Sequence, residues 1–251
     1  PPHGTRQVIP ARSLSPHSTK STFVIRQPFP PDDSSIGYER GSAISKQWDE
    51  AATFAAIETA NWVAENLDQL ASTSMTDKDR LAKTRAFSQQ FTERAFRRPL
   101  TAEQQLFFAD SRFADGKPAT DSVKEIVLLS LKSPRFLYPD LGQADDYSVA
   151  TRLAIGLWDS MPDDELLRAA TAGRLKTPDE VRQQALRMLR DPRSRAKLRG
   201  AFHHWIGLDH AEEIAKDTEH YPDYDKSLEA DLRTSLNIFL DNIVWQTAGA
   251  D

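Results

Sequence analysis

From Ile44 onward the sequence predicts an all-α fold, a multi-helix orthogonal or bundle-like domain behind an irregular, Pro-rich and partly extended N-terminal arm. Apolar residues recur at three- and four-residue spacing in segment after segment. Capping signatures open several of those segments, among them T-x-x-Q at 101–104 and Thr177-Pro178-Asp179-Glu180. By contrast, seven of the fifteen prolines lie within 1–42, where no helical period is visible. The arm is therefore read as 1–42 and the helical domain as 43–251, with room for a sub-boundary near 139–146.

Taken in order, 6–9 and 22–26 are short β-prone runs, read as the end of an upstream β domain. Residues 28–42 form a Pro-, Asp- and Ser-rich loop in which Asp32, Asp33 and Glu39 invite a calcium reading. They lack the alternating ligand spacing of a calcium loop, however. The first helix spans 45–70, with Trp48, Ala55, Ala56, Trp62, Val63 and Leu67 on one face. The second, 77–97, carries Leu81, Thr84, Phe87, Phe91, Ala95 and Phe96 and stops at Arg97-Arg98-Pro99, because a residue before proline is pushed out of the α region. A capped helix follows from Thr101 through Phe107 and Phe108, then another at 121–132, then a short turn from Ser133-Pro134.

The stretch 147–167 organises the rest. Val149, Leu153 and Leu157 form one row and Ala150, Ala154 and Trp158 another, with Gly156 adding to the small residues that admit a neighbouring helix. The chain breaks at Asp159-Ser160 and is expected to restart within two or three residues, Ser160 or Met161 capping and Pro162 in the first turn. Further helices are expected from Thr177, carrying Val181, Ala185, Leu186, Met188 and Leu189, from Asp191-Pro192 to a Gly207 stop, and over 226–246. Trp158 and Trp205 are both expected to be buried.

At 251 residues the chain has room for one large or two small cores, and its hydrophobic and charged fractions, 39% and 27%, are ordinary for a globular protein. A net charge of -5 argues against nucleic acid as the main partner. No apolar run is long enough to span a membrane. The absence of cysteine removes disulfides, zinc–thiolate and iron–sulfur sites, thiol nucleophiles and the C-x-x-C-H attachment of a c-type haem. No signal peptide is legible, and the opening at Pro1-Pro2 suggests a piece trimmed from a longer protein.

Candidate chemistry is sparse. His203, His204 and His210 are weak candidates for a metal or haem ligand or for acid–base work. Neighbouring histidines diverge by about 100° on a helix, so the plainer expectation is one histidine packed with a hydrogen bond and one exposed. Asp163, Asp164 and Glu165 invite a carboxylate-pair reading for glycoside hydrolysis, but their place at a helix start explains the charges through the helix dipole without catalysis. Arg94, Arg97 and Arg98 sit where basic residues complement a helix C-terminus. Phe87, Phe91 and Phe96 are expected in the core. No phosphate-loop, dinucleotide, nucleophile-elbow or H-E-x-x-H motif is present. No catalytic residue is assigned. The apolar helix faces are expected to be committed to helix packing, which leaves no haem slot.

Five strings nevertheless carry a resemblance: FPPDDSSIGYERG (29–41), FTERAFRRPLTAEQ (91–104), LLSLKSPRFLY (128–138), ATRLAIGLWDSMPDDELLRAATAGRL (150–175) and MLRDPRSRAKLRGAFHHWIGLDH (188–210). Their order and wording resemble the helical domains of unknown function in large secreted proteins of planctomycetes and related bacteria. Such proteins commonly add a cytochrome-c-type haem domain, and some a β-sandwich resembling carbohydrate-binding modules. The resemblance covers roughly 23–246. It implies a periplasmic or otherwise extracytoplasmic location, other domains or subunits of the same parent protein as partners, and a c-type haem in a neighbouring domain with no cofactor in this chain. It supplies no catalytic residues, and the family pattern continues beyond Asp251. The function expected is a non-catalytic helical module of a redox-linked multidomain protein. Two alternatives stand beside it: part of a haem-dependent oxidoreductase acting on saccharide-type substrates with its redox centre elsewhere, and a plain assembly subunit.

Overall fold

A computed structural model describes residues 23–30, 45–113, 116–138, 144–207, 216–217, 219–221 and 223–246. Among them the regular structure is helical throughout, with eleven α-helices and no strand. In chain order these are α1 (Lys46–Glu65), α2 (Leu67–Leu70), α3 (Arg80–Phe96), α4 (Ala102–Phe108), α5 (Ala119–Lys132), α6 (Pro134–Leu137), α7 (Asp146–Trp158), α8 (Asp164–Thr171), α9 (Pro178–Leu189), α10 (Pro192–Trp205) and α11 (Lys226–Gln246). A 3-10 turn, Asp110–Arg112, follows α4. The all-α expectation holds.

Two apolar cores sit one after the other along the chain. In the first, α1 and α3 lie against α5. Ala60, Val63 and Leu67 meet Val123, Ile126 and Val127, with Phe113 closing one end. Lys132 near the end of α5 donates to Asp49 Oδ1 (2.6 Å) and Thr53 Oγ1 (2.8 Å) near the start of α1, so the two helices run antiparallel. Residues 23–26 of the second β-prone run meet a helix and not a strand. The Arg26 and Gln27 amides donate to the Glu58 carboxylate, and Phe23 stacks on Trp62 at 4.8 Å. The run 6–9, residue 22 and the Asp32, Asp33 and Glu39 group lie outside the described residues.

The buried face of α3 differs from expectation. Leu81 is exposed, Phe87 and Phe91 are half-buried, and the deepest row is Thr84, Ser88 and Thr92, one turn apart. Each of the last two hydroxyls reaches back to the carbonyl four residues earlier, and Thr92 shares a 3.0 Å hydrogen bond with Ser130 of α5. Small side chains let the helices approach closely, and these bonds satisfy the hydroxyls of Ser88 and Thr92, whereas the buried Thr84 hydroxyl finds no partner among the described residues. The end of α3 is built by Arg97 in the left-handed region (φ 59°), with the Arg98 amide bonded to the Glu93 carbonyl.

The second core gathers Ala150, Ala154 and Trp158 of α7, Leu166, Ala169 and Ala170 of α8, then Leu175 and Met188. Both rows read along α7 are present, the alanine–tryptophan row innermost and Val149, Leu153 and Leu157 packed on its flank. Gly156 is exposed with open space around it, so it admits no neighbouring helix. The break after α7 is longer than expected. Asp159 takes a left-handed conformation (φ 49°), Asp163 and not Ser160 or Met161 caps α8, and Pro162 stays outside the helix. Both capping boxes form as read, Thr101 with Gln104 and Thr177 with Glu180. On α9 only Met188 is fully buried, and Leu186 is exposed.

Trp205 is the clearest correction. It is 79% exposed. The start of α10 lies on α7 and α9, and toward its end Phe202 and His203 face α11. Among the described residues Trp205 lies beyond that contact and is left uncovered.

Candidate functional site

Trp158 is the centre of the chemistry-bearing part of the chain. It is 2% exposed, and its indole N–H donates to the Met188 carbonyl at 3.0 Å. The Arg193 guanidinium lies 3.6 Å from its ring centroid and that of Arg187 5.7 Å. The ring thus has an apolar side toward Ala150 and Ala154 and a cationic side toward α9 and α10.

The three carboxylates that suggested catalysis are consumed there by structure. Asp163 caps α8 by accepting from the Leu166 amide (2.8 Å) and forms a two-pronged pair with Arg187 at 2.7 and 3.1 Å. Glu165 accepts from Arg187 Nε, and Asp164 pairs with Arg94 of α3. Asp191 caps α10 and pairs with Arg193. Burial works against the charge of Asp163. Hydrogen bonds from Arg187 and the Leu166 amide, with the charges of Arg187 and Arg193, outweigh it and hold the carboxyl below the usual range. The Asp191 carboxyl is also lowered, chiefly by its hydrogen bond from Arg193. A general acid at neutral pH needs the opposite shift.

The arginine cluster at the end of α3 is a set of tertiary struts, beyond the dipole role expected of it. Arg98 grips Asp145, the α7 cap, at 2.9 and 3.2 Å and lies over the Tyr147 ring. Buried Arg97 donates to the carbonyls of Arg135 and Phe136 at 2.8 and 3.1 Å. Burial, then the charge of Arg98, pull its guanidinium below the ordinary value. For Asp145, burial is again overcome by the Ser148 amide and hydroxyl and by Arg98, leaving the carboxyl lowered.

These depressed carboxyls set a pH dependence. A group whose folded-state value lies below its unfolded value of about 3.9 stabilises fully above that value and loses its contribution as pH falls through the folded one. Stability should therefore change little from these groups between about pH 5 and 7 and decline steadily below about pH 4. Urea midpoints measured across that range check this. Asp163→Asn should flatten part of the acid limb, and an unchanged limb would remove Asp163 from the account.

The histidines are not brought together into a ligand set. His203 Nε2 lies 2.7 Å from Asn237 Oδ1 of α11, a helix-to-helix hydrogen bond. His204 is exposed on the same helix, and His210 lies outside the described residues. Among the described residues no three His, Cys, Asp or Glu side chains gather as metal ligands. Phe96 is buried as expected, in edge-to-face contact with Phe108 at 5.0 Å.

Two surfaces went unrecognised in the sequence. A groove of about 520 Å³ opens beside α4, lined by Leu106, Phe107, Phe108 and Arg135 among others. It offers apolar contact and one guanidinium, without a paired nucleophile and base. On α11, Leu228, Leu232, Ile238, Phe239 and Ile243 are all exposed. The apolar faces of this protein are not all committed to packing. The signal was present in α11, which is apolar around more of its circumference than one neighbour can cover.

Residues 144–250 match the family described as PSD4, a protein of unknown function (DUF1592). The match takes in α7 to α11, and so the Trp158 centre and the α10–α11 pair. Neither a curated protein nor a solved structure matches the chain. No helix among the described residues is long and apolar enough to cross a membrane.

Proposed function

We propose that this chain is a non-catalytic helical docking module of an extracytoplasmic, redox-linked multidomain protein, and that its exposed helix faces pack against other domains or subunits of that protein. The observation that carries this reading is the outer side of α11, where Leu232, Phe239 and Ile243 are each more than half exposed on one face. Single exposed apolar residues are ordinary on a protein surface, whereas a continuous strip marks an interaction site. The polar groups support the non-catalytic part, because the Asp, Glu and Arg side chains around Trp158 are held in ion pairs: Arg187 ties α9 to Asp163 and Glu165 at the start of α8, and Asp191 pairs with Arg193 within the first turn of α10. Covalent haem does not fit this chain, which has no thiol to attach it. A c-type haem belongs in a neighbouring domain.

A photo-crosslinking residue at position 239 of the uninterrupted parent protein tests the docking role. Cross-links should map to another segment of that protein, from the same polypeptide or another subunit. Their absence, with α11 still helical, overturns it. A Soret band in the same preparation is the expected sign of the redox link, and a colourless preparation reduces the reading to an assembly subunit.

A further inference from the structure

The two sides of α11 have different owners. Asn237, Asp241 and Trp245 meet His203, Arg199 and Arg195 of α10, with Leu240 and Val244 lining the same seam. Away from that seam, Leu228, Leu232, Phe239 and Ile243 are 39%, 58%, 58% and 52% exposed. Their spacing is four, seven, four, and reads the same from either end of the helix.

A palindromic strip on a helix is complementary to itself. When two copies of α11 lie antiparallel about a two-fold axis passing between Ser235 and Leu236, Leu228 of one falls opposite Ile243 of the other, and Leu232 opposite Phe239. At the axis stands Ser235, exposed and small enough for the two backbones to approach. In the same register Glu229 and Arg233 stand level with Asn242 and Ile238, so no like charges are set against each other. The α10 seam occupies another side of the helix.

We propose that α11 is a self-complementary interface and that its occupant is a second copy of this chain, in an isologous antiparallel dimer. The inference rests on the reading of α11 as a docking surface and names its partner. With Ile238 on the flank, each exposed residue offers on the order of 100 Å², so the two copies together bury roughly 1,000 Å², the lower limit for a specific interface. That area suits a dimer that forms and separates with concentration, not an obligate one.

Because the chain has no cysteine, a single introduced thiol reports on geometry without ambiguity. Under mild oxidation Ser235→Cys should form a disulfide dimer, since its own copy lies across the axis. Leu228→Cys alone should not, because its copy is displaced by about 22 Å along the helix. An equimolar mixture of Leu228→Cys and Ile243→Cys should cross-link to each other. By sedimentation equilibrium the unmodified chain should dimerise with rising concentration and Leu232→Glu should abolish this, with circular dichroism confirming that the variant is folded. A chain that stays monomeric at 200 µM (about the highest concentration in such a test), a dimer that survives Leu232→Glu, or Leu228→Cys cross-linking as readily as Ser235→Cys would each overturn the proposal. A monomeric chain whose position 239 still cross-links elsewhere in the parent protein removes the second copy and leaves the docking surface standing.

Discussion

Replacing Trp158 with alanine should cost about 3–5 kcal/mol in chemical denaturation, the range for deleting a large buried aromatic side chain. The ring is 2% exposed and closes the α7 row against Leu166 and Met188. Its removal leaves a cavity that the alanines beside it are too small to fill. It also removes the surface over which Arg193 lies at 3.6 Å. The lost indole N–H should matter less. The Met188 carbonyl keeps a second donor, the Ser194 hydroxyl at 2.8 Å, so no buried acceptor is orphaned. Trp158→Phe separates the two effects and should fall well short of the alanine cost. Equal costs for the two would show that the N–H, and not the volume, holds the corner. An alanine cost below about 1 kcal/mol would contradict the burial itself.

Ile126→Ala should destabilise the first core by about 2–5 kcal/mol, since Ile126 is fully buried between α1 and α3. The more informative outcome is how its transition relates to that of Trp158→Ala. Arg98 with Asp145, and Arg94 with Asp164, tie the end of α3 to α7 and α8 across 47 and 70 residues of sequence. We expect both substitutions to lower one shared unfolding transition, followed by far-ultraviolet circular dichroism and tryptophan fluorescence together. Two resolved transitions, each moved by only one substitution, would instead place a true boundary at 139–146. Arg98→Ala in the wild-type background should broaden or split the transition if that pair is the coupling element.

The sequence had placed Trp158 on a buried face and Ile126 within a helix, and both substitutions depend on neighbours it could not name. Helix existence and most termini were legible because their causes are local. A capping box closes within four residues, a proline acts on the residue before it, and periodicity needs only the chain's own spacing. So 226–246 emerges with its bounds unchanged, Thr101 and Thr177 cap as read, and α3 stops ahead of Arg97-Arg98-Pro99. The start of α8 was misplaced because Ser160, Met161 and Asp163 all qualify locally as caps. Asp163 is the one that can also reach Arg187.

Burial is a relation between elements, and only the tertiary structure decided it. Trp158 and Trp205 end similar apolar rows, yet one is enclosed by α8, α9 and α10 while the other is left exposed among the described residues. The threonine–serine row of α3 lies deeper than Phe87 and Phe91, with α5 offering Ser130 at hydrogen-bonding distance. The histidines followed the same division. Divergence of His203 and His204 was fixed by helix geometry, but the Asn237 partner of His203 came from a helix 34 residues away. By itself the sequence determined where this chain is helical and which residue types it presents. Which faces became core and which remained open, α11 above all, was settled by the number of neighbours each helix found, because burial requires a second surface that local periodicity cannot specify.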